Sequence, residues 1–237
     1  MSSEAPALEV EGLTSGYGEA MIIRDVRFSV PQGRILAILG KNGMGKTTLL
    51  KTVMGFLPAA KGRIRLYGED VTNEAPHRIA RRAIAYSPQD QAIFQDLTVD
   101  ENLRLGLGAQ TNYAEQLDRI CGFFPVLGKR LRQRAGTLSG GEQKMLLVAR
   151  ALMSKPRLML VDEITEGLQP SVIQTLASVL REERQALGLA ILLIEQNVRF
   201  ALQVADNFAV LKRGEIVDSG TAAKPGVEAE INEHLTV

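Results

Sequence analysis

Three short stretches carry residue types that phosphate chemistry needs. Gly40-Lys41-Asn42-Gly43-Met44-Gly45-Lys46-Thr47 fits G-x-x-x-x-G-K-[ST]. Its glycines let the backbone curl so that N–H groups point inward at phosphates. A helix beginning at Lys46 would offer its positive end to the same anion. Lys46 is a point charge for β and γ phosphates, and Thr47 supplies a hydroxyl for Mg²⁺. The plain alternative is a Gly-rich strand-to-helix turn with a surface lysine. The apolar strand before the loop and the helix after it favour phosphate binding.

The second stretch, Arg157-Leu158-Met159-Leu160-Val161-Asp162-Glu163, is an apolar strand ending in two acids. Ligands of open α/β sheets sit at the carboxyl ends of strands, which places both acids beside the phosphates. Asp162 would hold Mg²⁺, and Glu163 would orient and polarise an attacking water. Alone, such a pair would read as a solvated acidic turn. The third stretch, Leu138-Ser139-Gly140-Gly141-Glu142-Gln143, precedes a helix expected over 144–153. Ser139 and Glu142 form a capping box, which any helix start could use. The two glycines are not needed by a cap, but a phosphate approaching a helix N-terminus needs them.

These stretches require a scaffold of alternating elements. Residues 8–31 read as strands of alternating character, and 34–39 as a short strand buried on both faces. A helix follows over 46–55, with strands over 62–68 and 83–86. From about 97 to 153 the pattern is mostly helical. Strands return at 158–161, 189–194 and 208–211, with helices over 171–186 and 198–205. This alternation predicts an α/β protein with right-handed crossovers, an antiparallel β layer at the N-terminal side and an inserted helical subdomain. The division expected is a single unit over 1–237. About 1–90 and 155–220 make the core and β layer, about 91–154 the helical part, and 221–237 a tail with a short helix near 228–234.

The 237 residues are 45% hydrophobic and 23% charged, with a formal net charge of +1. That composition excludes wholesale disorder and can fill a sizeable core. The charge balance argues against bulk electrostatic binding of nucleic acid. One cysteine excludes an internal disulfide framework and suits a reducing compartment, and Cys121 is expected to be a buried, inert thiol. Phe123 and Phe124 are expected to pack in the helical part, and the basic run around 78–82 to be a solvated helix face. No apolar run approaches the ~20 residues of a membrane-spanning helix, and the N-terminus lacks the pattern of a secretory signal. The chain is therefore expected in the cytosol, and at a membrane only if another protein holds it there.

The three stretches, in this order and spacing, resemble the ATP-binding-cassette family over about residues 8–219. The resemblance implies a P-loop NTPase fold, ATP and Mg²⁺ as ligands, and a head-to-tail dimer. Each ATP would lie between one chain's phosphate loop and the other chain's 138–143 signature. Ser139, Gly140 and Gly141 would then serve the partner's nucleotide. Tyr17 resembles the aromatic residue that stacks on adenine, although a turn tyrosine would look the same. Thr48 resembles the residue that touches the α phosphate. Gln89, in Tyr86-Ser87-Pro88-Gln89, resembles the glutamine that contacts Mg²⁺ and water, on a loop that couples to a transmembrane partner.

The chain departs from the family pattern at three places. Ile164 replaces a proline and Gln169 an aspartate that communicates across the dimer. Gln196, in Ile194-Glu195-Gln196-Asn197, stands where a switch histidine is usual. Neither His77 nor His234 substitutes by motif. A glutamine cannot become a cation, but its NH₂ can still reach a γ phosphate. Glu-Gln-Asn here resembles one of the two ATPase subunits of branched-chain amino acid importers. Residues 165–171 look closer still to the matching subunit of urea and short-chain amide importers. The resemblance thus implies a heterodimer with a second, histidine-bearing ATPase, although the isolated chain could form a homodimer. It also implies two permease subunits, an external solute-binding protein and a peripheral place on the cytoplasmic face of the membrane. Two competing functions are a soluble cassette ATPase outside transport and a weakly catalytic ATP-dependent clamp. Coiled-coil insertions and basic arms are missing for the first, and retained Glu163 argues against the second.

Overall fold

A computed structural model describes residues 5–89, 93–108 and 111–236. Two long antiparallel strands come first, β1 (Leu8–Tyr17) and β2 (Ala20–Val30). Leu8, Val10 and Leu13 are buried along β1, and Ile23, Val26 and Val30 along β2. Such intermittent burial is what strands with one covered face produce. In β3 (Ile35–Leu39) all five residues are buried, because both faces are covered. The glycine-rich loop leads from β3 into α1 (Lys46–Val53). The chain returns to the first sheet as β4 (Ala59–Leu66) and β5 (Glu69–Asp70), in the order β2-β1-β4-β5. A short helix α2 (Pro76–Ala80) precedes β6 (Ile84–Ser87).

The middle of the chain holds α3 (Val99–Leu105), α4 (Tyr113–Phe123), α5 (Pro125–Gly128) and α6 (Gly140–Leu152). Then β7 (Leu158–Asp162), α7 (Pro170–Leu187), β8 (Ala190–Glu195), α8 (Val198–Val204) and β9 (Asn207–Lys212) alternate. An antiparallel edge strand β10 (Glu215–Thr221) and α9 (Val227–Thr236) follow. The second sheet runs β10-β9-β3-β8-β7-β6, and all its pairings except β10 to β9 are parallel.

Period-two alternation divides the core between the faces of this sheet. Leu36, Ile38, Leu158, Leu160, Leu192 and Ile194 join one cluster with α1 and the antiparallel sheet. Ile35, Ala37, Leu39, Met159, Val161, Ile191 and Leu193 join the other, with Val99, Leu103, Ile120, Phe124 and Leu146 of the helical region. That region therefore packs into the sheet's own core. Arg119 of α4 reinforces the join, pairing with buried Glu183 of α7 and donating to the Leu152 carbonyl at 2.8 Å.

Four features differ from expectation. The signature glycines lie inside α6, which begins at Gly140 and not at 144. The Ser139 hydroxyl accepts from the Glu142 N–H at 3.4 Å, and the Glu142 carboxylate accepts from the Ser139 N–H at 2.9 Å. The capping box thus forms and fixes the helix start. Strand β10 was not among the expected strands; its residues alternate between exposed and half-buried. Cys121 is only half-buried on α4, although burial and then Asp118 do raise its thiol pKa. The tail helix is longer than expected, spanning α9 with Val227 and Ile231 buried. Phe124 is buried and Phe123 partly so, packed on the same core.

Candidate nucleotide-binding and hydrolysis site

The central strands deliver the site residues side by side. Gly40 follows β3, Gln196 follows β8, Asp162 ends β7, and Gln89 lies two residues beyond β6. These four strands are consecutive neighbours, so the loops at their carboxyl ends form one row. In that row lies an open cavity of about 360 Å³, lined by Tyr17, Ile22, Asn42, Gly43, Gly45, Lys46, Thr47, Thr48, Gln89 and Glu163. Tyr17 is half-exposed at its mouth. Of the expected phosphate-loop residues, Gly40, Lys41 and Met44 do not line it. Gly40 and Lys41 lie behind Lys46, and the Met44 sulfur and carbonyl accept from the N–H groups of Arg213 and Gly214.

The loop geometry explains its composition. Gly43 and Gly45 have φ of +80° and +99°, which side chains rarely tolerate. Gly45 is the N-cap of α1 and no side chain caps this helix. By contrast α3, α4, α6 and α8 are capped by Thr98, Asn112, Ser139 and Asn197. Helices α2, α5 and α7 also lack a side-chain cap but carry proline in the first turn; α1 has neither, so its first-turn N–H groups are open to an anion.

Lys46 is 4% exposed and fully engaged. Its ammonium donates to the Gly40 and Lys41 carbonyls, each at 2.7 Å, and pairs with Glu163 Oε1 at 2.9 Å. The other Glu163 oxygen accepts from Gln89 Nε2 at 2.9 Å, and Gln89 also donates to Glu166 at 3.1 Å. Glu163 has φ +46°, a strained conformation for a residue with this side chain. Such strain costs about 1–3 kcal/mol and gathers at functional positions. Lys144 of α6 donates to the Gln89 carbonyl, linking the signature helix to this cluster.

Asp162 is 1% exposed; the Thr47 and Tyr86 hydroxyls interact with it, but neither carboxylate oxygen makes a well-formed hydrogen bond among the described residues. Burial first, then the Glu163 charge, raises its pKa from 3.8 to about 6, against Lys46, Thr47 and Lys144. A buried acid so poorly bonded is costly unless a cation arrives. A raised carboxyl pKa stabilises the folded chain at low pH, because the folded state then holds a proton that the unfolded state releases. That contribution is present below pH 3.8 and is lost as the pH rises to about 6. Urea unfolding at pH 5 and pH 7.5 should therefore show the wild type losing more stability with rising pH than Asp162→Asn.

A second cavity of about 310 Å³ adjoins through Asn42 and Glu163, and adds Thr165, Glu166, Glu195, Gln196 and Asn197. Gln196 is exposed there, while Gln169 is the N-cap of α7 without a capping hydrogen bond. Ile164 is fully buried, which an apolar replacement for proline allows. None of residues 138–143 lines either cavity. Leu138 is buried, and Gln143 donates to its carbonyl at 3.1 Å, while Ser139 and Gly140 face outward. A Cβ on Gly140 would meet nothing within 4 Å, so this chain's own packing does not require the glycine. Ile22, Lys144, Thr165, Glu166, Glu195 and Asn197 were not expected at the site. Thr165 and Glu166 carried a signal in their nearness to Glu163, and Glu195 and Asn197 in flanking Gln196.

A mostly parallel sheet with a phosphate loop after β3, a buried acid at the end of β7 and a capped glycine helix define a nucleotide-hydrolysing cassette. The family model described as ABC transporter matches residues 23–166. The high-affinity branched-chain amino acid transport ATP-binding protein BraG of Pseudomonas aeruginosa is 41% identical, over 91% of this chain and 93% of that protein. A probable branched-chain amino acid transport ATP-binding protein LivF of Archaeoglobus fulgidus is 37% identical, over 89% and 90%. A solved ATP-binding subunit of an ABC transporter superposes with a TM-score of 0.85 at 28% identity, over 98% of this chain and 100% of that one. The chain belongs to the ABC transporter family, as an ATP-binding, ATP-hydrolysing cassette with the P-loop NTPase fold. No helix among the described residues is long and apolar enough to cross a membrane.

Proposed function

We propose that this chain powers an importer for polar organic solutes, with amino acids as the first class and urea or short-chain amides as the second. The end-to-end similarity to BraG carries this reading. The urea arm rests on the resemblance at residues 165–171. In this reading ATP stacks on Tyr17, with Lys46 and the N–H groups of the 40–48 loop around its phosphates. Thr48 reaches the α phosphate. The buried Asp162 carboxylate, the Thr47 hydroxyl and the Gln89 amide oxygen would hold Mg²⁺, an all-oxygen set suited to a hard cation. That ion would supply charge neutralisation between the phosphates.

Glu163 orients the attacking water, and Gln196 donates to the γ phosphate in place of an imidazole. Residues 138–143 close over the partner's nucleotide. Closure and reopening of the dimer drive two permease subunits, which hold the chain at the cytoplasmic face and receive solute from an external binding protein. Nucleic acid has no part. The partner cassette is a different chain that carries the histidine, so the two ATP sites are unequal.

Co-expression with candidate permeases and a second cassette tests this. Purification should yield a complex with both cassettes and two permeases, whose vesicles take up labelled leucine or urea on ATP. A chain that purifies alone from all of them contradicts the transport reading. A complex that binds ATP without turnover would instead indicate the clamp.

A further inference from the structure

Strand β8 is apolar from Ala190 to Ile194 and ends in Glu195, which is 2% exposed. No ion pair reaches its carboxylate among the described residues. It accepts from the Thr165 N–H at 3.2 Å, the Thr165 hydroxyl at 2.9 Å and the Asn197 N–H at 3.5 Å. Its own carbonyl accepts from the Gly40 N–H at 3.3 Å, and the preceding carbonyl, of Ile194, accepts from the Glu163 N–H at 2.9 Å. One residue therefore touches the phosphate loop, the loop after β7 and the loop after β8. Burial, against the Thr165, Asn197 and Gln196 hydrogen bonds, pushes its pKa up to about 7. A charge held only by dipoles is expensive, and an apolar residue would end this strand at lower cost.

We propose that Glu195 is a positioning residue for ATP hydrolysis, tying the loop that carries Glu163 to the loop that carries Gln196 through Thr165. This rests on Glu163 acting on the water, which Glu163→Gln tests separately. With Glu195 in place, the distance between the two loops is fixed before nucleotide arrives. Without it, each loop settles independently, and a reacting geometry off by about 1 Å costs about 100-fold.

The test is steady-state ATP hydrolysis by the full chain in its assembled transporter. Glu195→Ala and Thr165→Val should each lower kcat about 10- to 100-fold, with the KM for ATP moving less than about two-fold. The double variant should be no slower than Glu195→Ala, because that change already removes the acceptor of the hydroxyl bond that Thr165→Val deletes, while the Thr165 N–H bond is lost only with Glu195. Thr165→Ser keeps the hydroxyl and should retain the wild-type rate. Should Glu195→Ala fail to fold, the Thr165 pair carries the test alone. In the ATP-bound chain, hydrogen exchange of 163–168 and 195–198 should rise together in Thr165→Val. The proposal is overturned if Thr165→Val keeps kcat, if Thr165→Ser loses it equally, or if the single effects multiply. Retained turnover in Glu163→Gln would overturn the water assignment instead.

Discussion

Glu163→Gln is expected to lower ATP turnover by about 10²–10⁴-fold, the range for losing a positioned acid–base group, with ATP still bound. The substitution keeps the shape and one carbonyl oxygen for Gln89, so the Gln89–Glu163 contact at 2.9 Å survives. It removes the negative charge that now holds Lys46 at 2.9 Å. Lys46 is then free for phosphates, and ATP should bind at least as tightly as to the wild type. Equilibrium nucleotide binding and single-turnover hydrolysis measured together separate the two effects. A loss of turnover smaller than about ten-fold would place the water-activating group elsewhere.

Lys46→Ala should act in the opposite way, on binding. Truncating one partner of a buried charge pair costs about 2–5 kcal/mol, or about 30-fold to more than 1,000-fold in affinity. The same change leaves Glu163 buried and uncompensated, and strips two carbonyls of a donor at 2.7 Å. The apo chain should therefore lose stability as well, by about 3–5 kcal/mol. Lys46→Arg should not restore ATP binding. A planar guanidinium cannot reproduce a compact ammonium that meets two carbonyls and a carboxylate at once. Titration of ATP, with thermal unfolding of the apo variants, reads both predictions. Wild-type ATP affinity in Lys46→Ala would remove the lysine from the site.

The phosphate loop was legible because all its requirements are local. Glycines at positive φ, a lysine and a threonine sit within eight residues, between a strand and a helix that periodicity announces. The buried strands β3, β7 and β8 were legible for a related reason, since a sheet covered on both faces leaves continuous apolar runs. The start of α6 was misplaced by four residues because two glycines in a first turn read as loop. Their capping box, once formed, overrides that propensity. The links between loops were not legible. Lys46 to Glu163, Gln89 to Glu166, Lys144 to Gln89 and Glu195 to Thr165 all join residues far apart in the chain. The parallel order of the sheet creates them, and no short window of sequence contains both partners. Glu195 was hidden further by its place at the end of an apolar run, where an acid reads as the strand's exit to solvent.

With Gln196 in place of a histidine, this cassette is proposed to work as half of an unequal pair. Saturating-ATP turnover per cassette, compared between the isolated chain and the complete transporter, decides this. The isolated chain should bind ATP but turn over at least about ten-fold more slowly, since neither site of a homodimer has an imidazole. An isolated chain that dimerises on ATP and hydrolyses it as fast as the complete transporter would rule out the unequal pair.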